Sequence, residues 1–277
     1  MHPQVKSTRR RLDEVLVDRG LAPTRSKARA MILAGDILVN ETVILRAGHL
    51  VAETDDVSQV AKPRFVSRGG EKLDHALTSF GIDVQGCTAA DLGASTGGFT
   101  DCLLQRGVAK VYAVDVGYGQ IDERLRQDER VIVMERTNAR YLERLPDLVD
   151  LVSIDVSFIS LGLIFPAVKK ISKQNGLCVP LIKPQFEAGR KDVGKGGVVR
   201  DPLIHRRVLE NVIERAYEHQ LSLRGLVASP LLGPAGNVEF LAHFVSDAVA
   251  PNETDMVAMI DQALNEASTL ARGEGDS

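Results

Sequence analysis

Between residues 87 and 245 the chain alternates short runs of branched apolar residues with stretches of helical period, and few folds accept that pattern. CTAADLG (87–93), KVYAVDVG (110–117), VIVMER (131–136), LVSIDVS (151–157) and GLCVPLIK (176–183) read as strands. GGFTDCLLQRG (97–107), LGLIFPAVKKIS (161–172) and a stretch from about Asp201 to His219 read as helices between them. Strands buried on both faces appear as unbroken Val/Ile/Leu runs, and alternation with helices implies crossovers. The expected body is therefore an α/β, doubly wound, mostly parallel sheet. LSLRGLVASPL (221–231) and VEFLAHFVS (238–246) are expected to close one edge as an antiparallel hairpin. Residues 255–270 read as a polar-faced helix ahead of a frayed tail.

The first sixty residues have another rhythm. In residues 9–19 (RRRLDEVLVDR), Leu12, Val15 and Leu16 fall on one helical face. Thr24 is a suitable N-cap for SKARAMILAG, whose Ala28, Met31 and Ile32 face inward. DILVN and TVILR then read as short strands meeting at Asn40-Glu41. A small α+β module is expected over 1–62, a linker over 63–69, the α/β body over 70–250, and a C-terminal helix and tail over 251–277. Net charge is −3, yet residues 1–68 hold 12 basic against 8 acidic groups, leaving the remainder acidic. A basic module on an acidic body points to a polyanionic partner. Arg25 and Arg29 share a helix face, with Lys27 and the run Arg9, Arg10, Arg11 beside it; Arg64 and Arg68 add charge in the linker. A helix-turn-helix is the weaker reading, because strand follows the second helix directly.

Other chemistries have little support. Cys87, Cys102 and Cys178 form no CxxC pair, and the six histidines have no ligand spacing, so no metal is expected and the thiols read as reduced core residues of a cytoplasmic protein. MHPQVKSTRRRLDE lacks the apolar core of a signal peptide. The most apolar stretch, Phe158 to Val168, is shorter than the ~18–20 residues a bilayer span needs, so no membrane association is expected.

Chemistry concentrates where strands end. Asp91-Leu-Gly-Ala-Ser-Thr-Gly-Gly-Phe-Thr100 joins a strand to a helix, with Gly93, Gly97 and Gly98 permitting close approach of a ligand to backbone. Ser95 breaks the dinucleotide GxGxxG fingerprint, and the Walker lysine is missing. A nucleoside without pyrophosphate needs fewer amides, and an acid on the strand suits a cationic amino-acid moiety. Asp91, Gly93, Ser95, Thr96, Gly97 and Gly98 thus look like the first motif of class I (Rossmann-like) methyltransferases, which bind S-adenosyl-L-methionine. Asp115, ending the second strand, is placed to accept both hydroxyls of a ribose. Thr137 and Asn138 stand where the adenine edge would lie, although an asparagine capping a loop fits equally well. Asp155 and Lys183 end neighbouring strands on the ligand side of the sheet, and an ionised carboxylate among apolar neighbours needs a cation. Glu239 leads into the last apolar run, and Lys72 lies on a helix ahead of the first strand.

Lys72, Asp155, Lys183 and Glu239 occur in the order of the Lys-Asp-Lys-Glu tetrad of ribose methyltransferases. RLDEVLVDRGLAPTRSKARAMILAGDILVN resembles the small RNA-binding fold named after the S-four ribosomal protein. FVSRGGEKLDHAL, DLGASTGGFTDCLLQRG, DVSFISL and LIKPQFEAGRKDVGKGGVVRDP are similar to the TlyA family, over about residues 9–247. That resemblance implies an S-four-type domain joined to an FtsJ-like methyltransferase, and methylation of cytidine 2′-hydroxyls in ribosomal RNA of the small subunit, the large subunit, or both. Either lysine can be the base; Lys183 is favoured because a strand end is the more rigid mount. Gly189–Asp201 reads as a mobile basic loop beside the target nucleotide, through Arg190, Lys191 and Lys195, with base flipping expected. A binding protein without turnover and a membrane-lytic haemolysin are the competing readings.

Overall fold

Helices of seven to nine residues are marginal alone and need tertiary partners. The computed structural model describes residues 9–60, 63–189, 191–247, 249 and 252–273, and the chain divides into two units, Met1–Pro63 and Arg64–Ser277. In the first, β1 (Arg10–Arg11) pairs antiparallel with β4 (Leu50–Val51), and α1 (Leu12–Asp18) packs on α2 (Arg25–Leu33). The expected first helix is thus shortened at its start, because Arg10 and Arg11 are extended partners of Val51 and Leu50. Strands β2 (Ile37–Val39), β3 (Thr42–Val43) and β5 (Val57–Gln59) form an antiparallel sheet in the order β3-β2-β5. Asn40 (φ 47°) and Glu41 (φ 65°) are both left-handed, the pair of conformations that a tight hairpin between twisted strands requires. Thr24 caps α2 by accepting from the Lys27 amide, and Leu12, Leu16, Ala28, Ile32 and Ile37 form the core.

Asp13 is a buried carboxylate inside this unit, and three of the expected RNA-facing arginines converge on it. Arg11 Nε donates at 2.9 Å, Arg29 Nε at 2.9 Å and Arg25 Nη2 at 3.3 Å, each arginine staying about half exposed. The face expected from Arg25 and Arg29 spacing is therefore anchored from below rather than free. Arg10 pairs with Asp18, whereas Arg9 and Lys27 are exposed.

The second unit is built on a seven-stranded sheet in the order β11-β12-β10-β9-β6-β7-β8. Its strands are β6 (Thr88–Leu92), β7 (Lys110–Val114), β8 (Val131–Met134), β9 (Val149–Ile154), β10 (Ser172–Ile182), β11 (Ser222–Ala228) and β12 (Phe240–Val245). The first five run parallel, and β12 lies antiparallel between β10 and β11, so the last two strands form the expected antiparallel edge pair. Strand β10 starts at Ser172, earlier than its apolar run, with a register break before Leu177. Helices α3 (Gly69–Ser79) and α4 (Gly98–Gln105) bury Leu73, Leu77, Phe99 and Leu103 on one face of the sheet. Helices α6 (Phe165–Ile171), α8 (Pro202–Glu218) and α9 (Glu253–Gly273) bury Val168, Leu209 and Ile260 on the other. Two short helices, α5 (Glu123–Arg126) and α7 (Pro184–Glu187), follow β7 and β10.

Residues 64–69, expected to be linker, are instead packed into this second unit. Phe65 is 3% exposed, the Val66 amide donates to Asp101 Oδ2 at 2.8 Å, and Arg64 pairs with Asp74 at 2.5 Å. A Cβ on Gly70 would lie 2.3 Å from the Phe65 ring, so the helix start is shaped around that side chain. Arg64 is thus spent on a structural pair.

The three guanidiniums hold the Asp13 carboxyl well below its usual range. A depressed carboxylate contributes stability above its unfolded-state pKa of ~3.9, and loses it as pH falls through the folded value. Asp13→Asn should destabilise the N-terminal unit by about 2 kcal/mol at pH 7. It should also remove part of the unit's loss of stability below about pH 4. Hydrogen exchange of the α1 and α2 amides against pH checks this; protection and acid response identical to wild type would contradict it.

Candidate active site

Parallel register delivers the ends of β6, β9 and β10 to one edge. Leu92 pairs with Ile154, Ile154 with Pro180, and the Asp155 amide donates to Leu92 O at 2.9 Å. Gly93 follows β6 at φ 89°, and a Cβ there would lie 2.5 Å from the Asp155 carbonyl oxygen. Only glycine tolerates both that backbone conformation and that approach. The turn continues through Ser95, left-handed at φ 49°, and Gly97 at φ 97°, into the N-terminus of α4 at Gly98.

Two cavities open on this edge and share Gly93, Ser95 and Asp155. One, about 400 Å³, runs over Asp115, Val116, Gly117, Gln120, Thr137, Asn138, Phe158 and Ile159. Asp115 is set by two amides, Ser95 N at 2.8 Å on Oδ2 and Gly117 N at 2.7 Å on Oδ1. Each oxygen keeps a lone pair, which leaves room for a pair of hydroxyl donors. Asn138 Oδ1 accepts from the Arg140 amide at 3.0 Å, so its carbonyl caps the following 3₁₀ turn while the residue still lines the slot. The Thr137 hydroxyl is turned to the Glu135 carbonyl.

Asp91 does not meet the slot, contrary to its expected contact with an amino-acid moiety. It is fully buried beneath the turn, where Thr100 Oγ1 donates to Oδ2 at 2.7 Å and Ser153 Oγ lies 3.3 Å from Oδ1. The reason is the pleat: position 91 points into the sheet–helix layer beneath α4, and the turn itself forms the floor of the cavities. Burial pushes its carboxyl up to about 7, opposed by the Thr100 hydroxyl and reinforced by the nearby charge of Asp155.

The other cavity, about 340 Å³, is lined by Ser67, Arg68, Gly69, Lys72, Thr96, Gly98, Phe99, Lys183, Pro234 and Glu239, besides the shared residues. All four tetrad residues meet here, as two ion pairs. Lys183 Nζ lies 2.6 Å from Asp155 Oδ1 and donates to Ser157 Oγ at 3.0 Å. Lys72 Nζ pairs with Glu239 Oε2, both side chains being almost fully buried. Lys72 is therefore not the solvated helix lysine that its sequence context permits. Glu239 precedes β12 and has Gly233 against its carboxylate, where a Cβ would lie 2.5 Å from Oε1. Taking two charges out of water is costly unless they are paired, and each partner removed singly leaves the other uncompensated. Arg68 reaches the same rim, donating to Leu232 O at 2.6 Å.

The basic loop differs from expectation. Its second half is tied down: the Val199 amide donates to Asn237 Oδ1 at 3.0 Å, Asn237 Nδ2 donates to Gly197 O at 2.9 Å, and His205 Nε2 lies 3.0 Å from Val199 O. Lys191 and Lys195 are exposed on it, and Arg190 lies outside the described residues. Sequence reasoning also missed an aromatic pair. Phe158, at φ 63° and 90% exposed, stands at the cavity mouth against Phe186, with ring centroids 4.9 Å apart. Phe158 sits in an apolar run that reads as core, so no periodic signal marks it. Among the described residues, no group of three or more His, Cys, Asp or Glu is placed to hold a metal ion.

The donor set suits a nucleoside carrying a charged side arm: a glycine cradle, a carboxylate with free lone pairs for hydroxyls, and an apolar slot over Val116 and Ile159. A family model described as FtsJ-like methyltransferase matches residues 65–245, and one described as S4 domain matches residues 10–57. A protein of Mycobacterium tuberculosis named 16S/23S rRNA (cytidine-2'-O)-methyltransferase TlyA is 47% identical over 84% of this chain and 88% of its own. Another, named Hemolysin A, from Brachyspira hyodysenteriae, is 42% identical over 85% of this chain and 99% of its own. A solved structure described as "Putative hemolysin from Streptococcus thermophilus" covers 98% of this chain and 100% of its own, at 40% identity and a TM-score of 0.75.

A buried carboxyl raised to about 7 favours the folded state while it stays protonated, and loses that advantage as pH rises from ~4, its unfolded value, toward 7. Asparagine mimics the protonated form and keeps a partner for Thr100. Asp91→Asn should therefore flatten the fall in melting temperature between pH 4 and 7, and match or exceed wild-type stability at pH 7. An unchanged slope in thermal melts across that range would show that Asp91 is ionised throughout.

Proposed function

The chain belongs to the TlyA family, an FtsJ-like methyltransferase preceded by an S4 domain, and we propose that it methylates the 2′-hydroxyl of a cytidine in ribosomal RNA. The observation that carries this reading is the convergence of Lys72, Asp155, Lys183 and Glu239 on a cavity that shares Gly93, Ser95 and Asp155 with the slot over Asp115. In this reading Gly93, Ser95, Thr96, Gly97, Gly98, Asp115, Thr137 and Asn138 hold S-adenosyl-L-methionine, with Asp91 supporting the turn from beneath. When bound, it supplies a methyl group on a sulfonium, already activated for displacement by oxygen.

The ribose hydroxyl is the weak partner, so this chain's residues must place it in line and take its proton. Lys183 is the proton acceptor in this reading, aimed by Asp155 and Ser157, which hold its nitrogen from two sides. A lysine accepts a proton only in its neutral form, so Lys183 must first release its own proton to solvent and then take the one from the hydroxyl. Lys72 and Glu239 form the facing wall and orient the ribose. An unstacked base needs a surface to rest on, and the Phe158–Phe186 rings offer one beside Lys183.

Docking falls to basic groups that meet phosphates without reading sequence. Arg9, Arg10, Arg11, Arg25, Lys27 and Arg29 serve the N-terminal domain, and Arg68, Arg190, Lys191 and Lys195 the methyltransferase domain, where Arg64 is held by Asp74 instead. The partner is ribosomal RNA within the small subunit, the large subunit, or both. The name Hemolysin A carried by one relative suggests a membrane-lytic alternative. Among the described residues no helix is long and apolar enough to cross a membrane. Dye release from vesicles by purified protein is the outcome that would favour that alternative.

Radiolabelled methyl transfer to separated ribosomal subunits, with mapping of the modified ribose, tests the function. Lys183→Met should lower the rate roughly 100- to 10,000-fold, with cofactor affinity held within about threefold. Full activity of Lys183→Met, with Lys72→Met inactive, would move the base to Lys72. Wild type inactive on both subunits would overturn the enzyme reading.

A further inference from the structure

Two segments leave the sheet side by side, 155–161 after β9 and 183–187 after β10, and they are joined at three levels. Nearest the sheet, Lys183 Nζ meets Asp155 Oδ1 at 2.6 Å and Ser157 Oγ at 3.0 Å. Next outward, the Phe186 ring lies against Phe158 with centroids 4.9 Å apart. At the third level Glu187 bridges both ends: Oε1 accepts from the Leu161 amide at 2.8 Å and Oε2 from Ser160 Oγ at 2.7 Å. Asp155, Ser157, Phe158 and Lys183 line the cavities; Glu187 lines neither.

We infer that Glu187 is a positioning residue for methyl transfer, a clamp that fixes the Asp155–Ser157–Phe158 segment against the Lys183–Phe186 segment. This rests on the proposal that Asp155 and Lys183 act in the reaction. Burial pushes the Glu187 carboxyl above its usual range, opposed by its bonds to Leu161 and Ser160 and by the charge of Arg215. A carboxylate kept in such a place at a solvation cost must return something, and its two bonds go to one short piece of chain. That piece contains Phe158, a bulky residue held left-handed at φ 63°. Such a conformation persists only where the surroundings over-determine it. Lys183 and Phe186 restrain the segment ahead of and at that residue, and Glu187 restrains it two and three residues beyond. The same bonds set the start of the 3₁₀ turn Leu161–Leu163, since Ser160 Oγ also accepts from the Gly162 amide at 3.3 Å. Without the third restraint the strained segment can relax, carrying Asp155 and Ser157 away from the Lys183 nitrogen. Misplacement of reacting groups by about 1 Å costs on the order of 100-fold in rate.

Glutamine discriminates between clamp and charge. Its carbonyl can accept from the Leu161 amide while its amide donates to Ser160 Oγ, so Glu187→Gln keeps both contacts without the carboxylate. The test is steady-state methyl transfer to ribosomal subunits by the full chain, with S-adenosylhomocysteine affinity and melting temperature measured alongside. Glu187→Ala should lower kcat roughly 10- to 100-fold while its melting transition stays above the assay temperature, and Glu187→Gln should recover activity to within about threefold of wild type. Ser160→Ala removes one of the two bonds from the other side and should lower kcat several-fold; it decides the matter if Glu187→Ala does not fold. Wild-type kcat in Glu187→Ala, or in Ser160→Ala where Glu187→Ala does not fold, would overturn the clamp; so would Glu187→Gln as inactive as alanine. Wild type inactive on every subunit would instead remove the reading on which the inference rests.

Discussion

The approach of Gly93 to the carbonyl of Asp155 is the contact on which the site depends. Strands β6 and β9 finish in register, and the space between their ends is too small for any side chain on the glycine. Because the first turn collapses onto the next strand there, the cavity over Asp115 and the cavity around the two lysines meet at Gly93, Ser95 and Asp155. In the proposed reading, a methyl donor in one and a hydroxyl in the other would be neighbours, which is the proximity that a displacement reaction needs.

Around that point the protein places four charges in two buried or half-buried pairs. Pairing is the condition for burying them at all. It also gives the lysines fixed directions: Lys72 on α3 is held by Glu239, which precedes the strand that helix packs on, and Lys183 by the end of its neighbour strand. Position 183 is mounted on a sheet end and position 72 on a helix. The antiparallel insertion of β12 next to β10 is what carries Glu239 to the same edge. A purely parallel sheet would have delivered that residue to the opposite side.

Much of this arrangement is legible in the amino-acid sequence. Continuous apolar runs ending in Asp155 and Lys183 announce both the sheet and the edge on which chemistry sits, since strand ends on that side are where such sheets bind ligands. Thr24 and the Asn40-Glu41 turn are readable from local rules, because caps and tight hairpins depend on a few adjacent residues. Residues 64–69 mislead for the same reason in reverse. Arg64, Arg68 and Gly69, set between Pro63 and Gly70, look unstructured by composition, yet Phe65 packs on Gly70 and Arg64 pairs with Asp74.

By itself, the sequence determined the period of each element, the order of the strands' chemistry-bearing ends, and the family to which these motifs belong. Those properties are local or cumulative along the chain, so a linear reading can reach them. Only the tertiary structure decided that Lys72 pairs with Glu239, that Asp91 supports the turn from below instead of facing a ligand, and that Phe158 stands out at the cavity mouth rather than in the core. Each of those outcomes depends on the face of the pleat, on a left-handed residue, or on an element more than a hundred residues away. No periodicity records such a choice; it is made when side chains compete for the same buried space.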